Sequence, residues 1–199
     1  MPGRERGSLA CVTVLIVNAG LGGSSGNCQV VAEHAARWLS ERQHAHELLV
    51  LRDQDADSAG RAIAGASRLV FVTGTYWGSC SSLLQQLLEE LTATAGGAHW
   101  LGKPAAVFVT AHQVGAQEVL WRLQGTLVAL GCQLPPMSGV VILRTSEELR
   151  RLAPEACTDV WGLDDVATSL QNLLACAPGP FRAWEVDRED FRSRWLRPR

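Results

Sequence analysis

The sequence contains six cysteines but no CxxC pair, so the spacing of zinc sites and iron–sulfur clusters is absent. Its five histidines are scattered and form no metal-ligating pattern. No apolar run is long enough to span a bilayer, and the first six residues lack the apolar core of a signal peptide. We therefore expect a cytoplasmic protein with neither a bound metal nor a membrane partner.

Lysine is also nearly absent, because Lys103 is the only one among 18 basic residues. The formal net charge of −2 argues against general nucleic-acid binding. A length of 199 residues suits one domain with a full core, and no repeat or long linker divides it. These features predict one compact domain that does not bind nucleic acid.

Two cysteines, Cys28 and Cys80, fall near predicted helix N-termini, where a thiolate would be favoured. A structural role is the alternative, and we favour it for both. Cys11 and Cys176 lie in apolar segments and are expected to act as small core residues.

Strands and helices alternate along the chain, a pattern that predicts a parallel sheet with helices on both faces, a three-layer α/β sandwich. The helix after the third strand carries an apolar stripe at helical spacing, from Leu83 to Leu91. The predicted strands are Cys11–Val17, Glu47–Leu51, Leu69–Thr73, Ala105–Thr110 and one within Gln133–Leu143. The predicted helices are Asn27–Arg42, a weak one near Ala59–Ala64, Ser81–Ala93, Ala116–Leu130 and Asp164–Cys176.

The segment between the first strand and the first helix, residues 18–28, is rich in glycine and serine. Such a segment supplies free N–H groups, room for phosphate oxygens and the positive end of a helix dipole. It is neither a Walker loop nor a convincing GxGxxG fingerprint. It predicts a phosphate site, with a connector that binds no ligand as the alternative.

The segment Thr73-Gly74-Thr75-Tyr76-Trp77-Gly78-Ser79 follows the apolar run Leu69–Val72. The carboxyl end of a strand is where open α/β folds hold their ligands. Aromatic side chains there need a partner, subunit or ligand to cover them, and glycines let the backbone approach a flat molecule. The alternative is an ordinary strand-to-helix turn whose aromatics plug the core.

These two segments carry a resemblance. Residues 11–143 resemble flavodoxin-like proteins of the NADPH-dependent FMN reductase type, related to NAD(P)H quinone and azo reductases. The stretch from Gly20 to Cys28 looks like the phosphate loop of that family, often Gly-Ser-Pro-Arg-x-x-Gly-Asn-Thr. The stretch from Thr73 to Ser79 is similar to its flavin-ring loop, often Thr-Pro-x-Tyr-Trp-Gly-Ser, and residues 110–115 stand where a third loop reaches the far edge of the ring.

The resemblance implies a flavodoxin-like sandwich with a five-stranded parallel sheet in the order 2-1-3-4-5, and FMN as the cofactor. It implies hydride transfer from NADPH or NADH through FMN to a quinone, free flavin or similar small acceptor. The flavin would carry the chemistry, so no side chain is expected to be catalytic. His112 would lie near the pyrimidine edge of the ring, or is simply a solvated loop histidine. The implied cofactor-binding residues are Gly20, Ser24, Ser25, Gly26, Asn27, Cys28, Thr73, Thr75, Tyr76, Trp77, Gly78, Ser79, Thr110 and His112.

The chain departs from the family pattern at four loop positions. Leu21 and Gly23 stand where the family often has Ser and Arg, so a charge-assisted phosphate contact is missing from the loop. Cys28 replaces a hydroxyl residue, and Gly74 replaces a common Pro. A flavodoxin-like electron carrier, or a non-catalytic interaction protein with a weakened FMN site, is therefore the alternative function.

The remaining expectations concern the ends of the chain and its assembly. Residues 1–10 are expected to form a flexible N-terminus, 11–176 the FMN-binding domain and 177–199 a tail. The tail carries aromatics among six Arg and four acidic residues from Phe181 onward, and we expect it to pack on the domain or on a second subunit rather than to bind nucleic acid. The resemblance implies a homo-oligomer, a dimer or tetramer, to which exposed Trp100 and Trp121 would contribute.

Overall fold

Five strands form a single parallel sheet in the computed structural model, which describes residues 13–153, 155 and 162–186. Across the sheet the order is β2-β1-β3-β4-β5, as the resemblance implied. The strands are β1 (Val14–Asn18), β2 (His46–Val50), β3 (Arg68–Gly74), β4 (Ala105–Ala111) and β5 (Gly139–Leu143).

Within these described residues, six α-helices connect and cover the strands. They are α1 (Asn27–Glu41), α2 (Ala56–Gly65), α3 (Ser82–Glu90), α4 (Ala116–Leu130), α5 (Arg144–Leu152) and α6 (Asp165–Ala175). Short 3₁₀ turns occupy Gly23–Ser25, Leu51–Asp53 and Thr92–Thr94. Side-chain caps begin two of the helices, since Asp55 accepts a hydrogen bond from Ser58 N–H and Ser81 accepts one from Leu84 N–H.

The core lies in two layers, because alternate strand residues point to opposite faces of the sheet. Leu15 and Phe71 pack with residues of α2, α3 and α4 on one face, among them the predicted stripe residues Leu84 and Leu88. Ile16 and Phe108 pack with residues of α1 and α6 on the other face. The strands are therefore buried on both sides, and the predicted three-layer sandwich is confirmed.

The prediction that Trp100 is exposed is wrong. Its side chain is 0% exposed, and its Nε1 donates to Thr94 Oγ1 at 2.8 Å. The indole stacks on Phe71 with ring centroids 6.4 Å apart, beneath the sheet face that α2–α4 cover. Trp121, the other tryptophan proposed for a subunit contact, is exposed on α4.

Several element boundaries differ from those predicted. The sequence did not predict helix α5, because its residues are mostly polar. In the structure its apolar residues Leu149 and Leu152 are exposed. The weak helix near Ala59–Ala64 is a ten-residue helix that Asp55 caps. Strand β5 begins only at Gly139, after Pro135 and Pro136, which lack the N–H that a sheet ladder needs.

Residues 177–186 run back along the domain. Gln133 Nε2 donates to Ala177 O at 3.2 Å, and the Trp184 ring lies against Gly96. Cys176 is half-buried rather than part of the core, while Cys11, residues 1–10 and the tail beyond Val186 lie outside the described residues. Within the described part of the chain, no helix has the length and apolar content to cross a bilayer.

Candidate functional site

Three loops meet at the carboxyl edge of the sheet and enclose a cavity of about 160 Å³. They follow β1, β3 and β4, the three neighbouring strands at the centre of the sheet. Residues predicted at three separate places in the sequence therefore come together around one space. The lining residues are Gly20, Gly22, Gly26, Asn27, Cys28, Gly74, Thr75, Tyr76, Thr110, Ala111 and His112.

The first loop is organised from below by Asn18, which is fully buried at the end of β1. Asn18 Oδ1 accepts a hydrogen bond from Gly20 N–H at 3.0 Å. Its Nδ2 donates to Gly23 O at 3.1 Å and to Gln29 Oε1 at 2.6 Å. The Asn18 side chain thus holds two residues of the loop and the first turn of α1 together.

Helix α1 begins without a side-chain cap, because its N-cap is Gly26. Asp55 and Ser81 cap α2 and α3, whereas α4, α5 and α6 begin without a side-chain cap, as α1 does. An uncapped first turn leaves backbone N–H groups and the positive end of the helix dipole facing the cavity that Gly26 and Asn27 line. That end of the cavity suits a phosphate.

The predicted ring loop is tied to its neighbours by buried hydrogen bonds. Ser81 N–H donates to Thr73 Oγ1 at 3.1 Å, and Thr75 N–H donates to Thr110 O at 2.9 Å. The hydroxyl of Thr75, in contrast, is buried and forms no hydrogen bond within the described part of the chain, and the residue itself lines the cavity. A buried polar atom without a partner costs free energy, which a ligand with a complementary group would recover.

Tyr76 lies over the first loop. Its hydroxyl accepts a hydrogen bond from Leu21 N–H at 3.2 Å, and its ring rests against Gly74. A Cβ at position 74 would lie 2.9 Å from the Tyr76 ring, so this placement requires glycine where the family often has proline. The glycine at 74 therefore determines where the tyrosine of the ring loop sits.

Trp77 does not contact the cavity. It is fully exposed at the tip of a two-residue turn. Two backbone hydrogen bonds of 2.9 Å between Tyr76 and Ser79 close this turn. Trp77 and Gly78 have φ angles of 50° and 74°, as in a type I′ turn. Trp77 therefore does not pack in the core, as it would in the alternative interpretation of this segment as an ordinary strand-to-helix turn.

Thr110 joins the third loop to the first. Its Oγ1 lies 3.3 Å from Cys28 Sγ, and burial raises the pKa of that thiol while the Thr110 hydrogen bond lowers it to a smaller extent. Burial likewise raises the pKa of Cys80, so neither helix N-terminus provides a thiolate, and the structural role we favoured accounts for both. His112 is exposed at the cavity rim, with its backbone carbonyl accepting from Thr145 Oγ1 at 3.3 Å.

The fourteen predicted cofactor-binding residues thus divide into two groups. Eight line the cavity: Gly20, Gly26, Asn27, Cys28, Thr75, Tyr76, Thr110 and His112. The other six, Ser24, Ser25, Thr73, Trp77, Gly78 and Ser79, do not. Of the latter, Ser25 turns its hydroxyl back to Gly22 O at 3.0 Å, and Thr73 supports the loop from inside.

Two residues that the sequence did not single out also shape the site. Asn18 is a buried polar residue at a strand end, and that combination could have indicated its role. Arg52 follows β2, and its Nη1 donates to Leu21 O at 2.6 Å across the first loop. Nothing in the local sequence connects Arg52 to that loop, because the contact arises only from the pairing of β1 with β2.

A second cavity of about 230 Å³ adjoins the first on the side of α1 and α5. The two cavities share Asn27, Thr110 and Ala111. On the rim of the second, Arg144 pairs with Glu148 at 2.8 Å. Among the described residues, no three His, Cys, Asp or Glu side chains come together as they would around a metal ion.

The fold, with its strand order β2-β1-β3-β4-β5, is flavodoxin-like. The chain matches the family of NADPH-dependent FMN reductases over residues 12–146 and belongs to that family. The resemblance noted in the sequence is thereby confirmed. A comparison with curated protein sequences finds no match.

Solved structures similar to the chain share its fold. RosB with a bound 8-demethyl-8-formylriboflavin-5'-phosphate intermediate has a TM-score of 0.66 and 15% identity, covering 94% of this chain and 95% of that one. The apo form of the NADH:FMN oxidoreductase EMOB has a TM-score of 0.65 and 16% identity, with coverage of 84% and 91%. Oxidised flavodoxin 2 from Bacillus cereus has a TM-score of 0.60 and 19% identity, with coverage of 82% and 98%. At these identities the likeness shows the fold alone.

The residues at the cavity fit FMN, the cofactor after which the family is named. Thr75, whose buried hydroxyl forms no hydrogen bond within the described residues, lines the cavity, and the uncapped start of α1 offers N–H groups that suit a phosphate. Glycine backbone lines the cavity beside that helix start, and Tyr76 and Thr110 line it as well.

Proposed function

We propose that the protein is a flavin-dependent reductase that binds FMN where the three loops meet. In this proposal it takes hydride from NADPH or NADH and passes it to a quinone, free flavin, nitro compound or similar small acceptor. One observation carries the proposal. Three loops from separate parts of the sequence line one cavity at the carboxyl edge of the sheet.

Each part of the site has a separate task. The N-terminal N–H groups of α1 and the backbone of the Gly20–Asn27 loop hold the phosphate. Thr75 would offer its hydroxyl to the ring, and Tyr76, which lies over the first loop, would cover the ring. FMN, when bound, supplies the hydride chemistry. Cys28 stays a neutral thiol because burial raises its pKa, so it neither competes as a nucleophile nor repels the phosphate.

Apolar side chains are exposed on all three loops, since Leu21, Trp77 and Val114 each belong to a different one. Such exposed side chains favour the cover of a second subunit. We include a homodimer or tetramer in the proposal, and exposed Trp121 supports it as a contact residue.

One observation favours the alternative, an electron carrier or interaction protein with a weakened flavin site. The Tyr76 hydroxyl already accepts a hydrogen bond from Leu21 N–H, a group that a phosphate would otherwise use. The two functions differ in turnover, since a carrier holds flavin without oxidising NADPH in a catalytic cycle.

The test is a titration of FMN with protein, followed by an assay of turnover. We expect quenching of flavin fluorescence at tens of micromolar protein or below, about the top of a useful affinity range, and then NADPH oxidation that depends on FMN and on an added quinone. Absence of quenching would contradict the flavin site itself. Quenching without NADPH oxidation across quinone, flavin and nitro acceptors would favour the carrier.

A further inference from the structure

A guanidinium reaches the phosphate loop from outside it. No lysine or arginine occurs in the loop between Asn18 and Cys28. Arg52 lies in the 3₁₀ turn directly after β2, and the register that pairs Asn18 with Val50 brings this turn beside the loop. Its Nη1 donates to Leu21 O at 2.6 Å, a contact between residues 31 positions apart.

Gly23 provides the space that Arg52 occupies. A Cβ at position 23 would lie 3.2 Å from Arg52 Cδ, closer than side chains normally approach. Gly23 also has a φ of 55°, in the left-handed region that favours glycine. The aliphatic part of the Arg52 side chain therefore packs over Gly23, the position at which the family often has an arginine.

The charge of Arg52 is uncompensated within the described residues. Its guanidinium forms no ion pair there, and the bond to the Leu21 carbonyl is its single hydrogen bond. A guanidinium has five donors, so most of them remain available at the outer edge of the loop. A carbonyl neutralises none of the positive charge, which leaves its field directed at the loop.

We propose that Arg52 is the specificity residue for the phosphate of the flavin, supplying from the turn after β2 the positive charge that the loop lacks at Gly23. This inference rests on the proposed function, and it concerns the preference for FMN over riboflavin rather than the presence of the flavin site. Arg52 acts by its field and by fixing the Leu21 carbonyl, so that the N–H groups of the loop face the phosphate.

The test compares FMN with riboflavin, which lacks the phosphate, in four variants. Arg52→Gln removes the charge and keeps a donor, Arg52→Met keeps only the stem, and Arg52→Lys keeps the charge. Arg42→Gln is the matched control, because it makes the same change in net charge. Arg42 follows the C-terminal end of α1, whose 15 residues span about 22 Å from the loop to that end. Arg52 is exposed, and we expect all four variants to melt like the wild type.

Arg52→Gln and Arg52→Met should weaken FMN binding about tenfold and leave riboflavin within about twofold. Arg52→Lys should retain most of the preference, and Arg42→Gln should change neither ligand. FMN binding to the wild type should weaken between about 0.05 and 0.5 M salt, and this dependence should be smaller in Arg52→Gln. Equal losses for both flavins, or the same loss in Arg42→Gln, would overturn the proposal.

A double-mutant cycle with Gly23→Ala tests the link between the two positions. The methyl group should displace the Arg52 stem and lower the FMN-to-riboflavin preference, and in the Arg52→Met background it should lower that preference no further. Additive effects on the preference would contradict the link. The left-handed strain of Ala affects stability in both backgrounds and cancels in this comparison.

The outcomes also separate the two proposals. A wild-type protein that binds neither flavin contradicts the proposed function. A wild-type protein that binds FMN more tightly than riboflavin, with an unchanged preference in Arg52→Met, contradicts the role of Arg52 alone.

Discussion

The hydroxyl of Tyr76 and the backbone N–H of Leu21 form a hydrogen bond of 3.2 Å across the mouth of the site. The two residues are 55 positions apart and belong to different loops. The bond couples the segment 73–79 to the segment 18–28 and engages Leu21 N–H. Under the proposed function Tyr76 would act in two opposite ways, because its ring would cover the flavin while its hydroxyl would compete with the phosphate for that N–H group.

Tyr76→Phe and Tyr76→Ala should consequently act in opposite directions. The Phe variant frees Leu21 N–H and keeps the ring, so FMN should bind about fivefold more tightly, the equivalent of about 1 kcal/mol, with riboflavin unchanged. The Ala variant removes the ring and should weaken both flavins. Fluorescence titrations with both ligands measure the two effects.

Trp77→Ala is the control for these variants, since Trp77 is fully exposed and outside the cavity. The sequence predicted that Tyr76 and Trp77 both position the ring, and we now expect Tyr76 to carry most of the loss in the double Ala variant while the fold survives. A Phe variant that binds FMN less well than the wild type would mean that the hydroxyl organises the loop rather than competing for it.

Thr75→Val should stabilise the free protein and weaken flavin binding. Valine has nearly the same shape as threonine and removes a buried hydroxyl that has no partner, so the free energy of unfolding should rise by about 0.5–1.5 kcal/mol. FMN and riboflavin should both bind less tightly, because the hydroxyl is proposed to contact the ring. Thermal melting with and without FMN gives both quantities.

Thr73→Val is the matched control, because Thr73 Oγ1 accepts a hydrogen bond from Ser81 N–H at 3.1 Å. Removing this acceptor should destabilise the protein by about 1–3 kcal/mol. A Thr75→Val variant that loses stability in the same way would show that its hydroxyl has a partner in solution.

The sequence predicted the sheet and the position of the site because their causes are local. Apolar runs define the central strands, and Gly115 and Gly131, with φ angles of 88° and 120°, bound α4 at the residues predicted. Loops rich in glycine and hydroxyl residues at the ends of β1 and β3 then had to meet, because the ends of parallel strands lie at one edge.

The features that the sequence missed depend on tertiary packing. Trp100 is buried because its loop folds under the sheet onto Phe71, and no local pattern indicates that. No arginine occurs between residues 18 and 28, so the sequence alone indicates a phosphate loop without a cation. In the structure, Arg52 approaches this loop from the turn after the neighbouring strand β2. An arginine in the loop itself, as in Gly23→Arg, would place a side chain at a φ of 55° and against Arg52.

Arg68→Met should destabilise the fold strongly. Arg68 is only 7% exposed, and its guanidinium donates to Leu173 O and Leu174 O at 2.9 Å and to Cys176 O at 3.0 Å, the carbonyls at the end of α6. Methionine fills the space but leaves these carbonyls without a donor. We expect the free energy of unfolding to fall by about 2–4 kcal/mol, measured as a lower urea midpoint with an unchanged slope.

Arg61→Met provides the control for that measurement. Arg61 is exposed on α2, and within the described residues its one hydrogen bond goes to the Ser58 hydroxyl at 2.9 Å, so its loss should change stability by less than about 0.5 kcal/mol. Equal effects of the two substitutions would show that the buried position of Arg68 contributes nothing to the fold.

Lys103 should make stability rise with pH in the alkaline range. Its Nζ donates to Ile63 O at 2.6 Å and to Ala64 O at 2.8 Å, and burial lowers the pKa of the ammonium group from 10.5 to about 8. Between these two values the unfolded chain holds a proton that the folded protein has released, so raising the pH favours the folded state. Relative to Lys103→Met, the wild type should gain about 2 kcal/mol from pH 7 to pH 10.

The comparison with Lys103→Met is essential because the buried cysteines act in the opposite direction. Burial raises the pKa of Cys132 to about 12, so its contribution to stability is lost as the pH rises above the thiol pKa of the unfolded chain. Burial causes that loss in both proteins, so this part cancels in the difference, as does any fixed cost of removing the two hydrogen bonds. The part that does not cancel is the lowering of the Cys132 pKa by Lys103, which is smaller than the effect of burial. Urea unfolding of both proteins at half-unit steps of pH measures the difference, and a difference independent of pH would mean that Lys103 keeps its ordinary pKa in the fold.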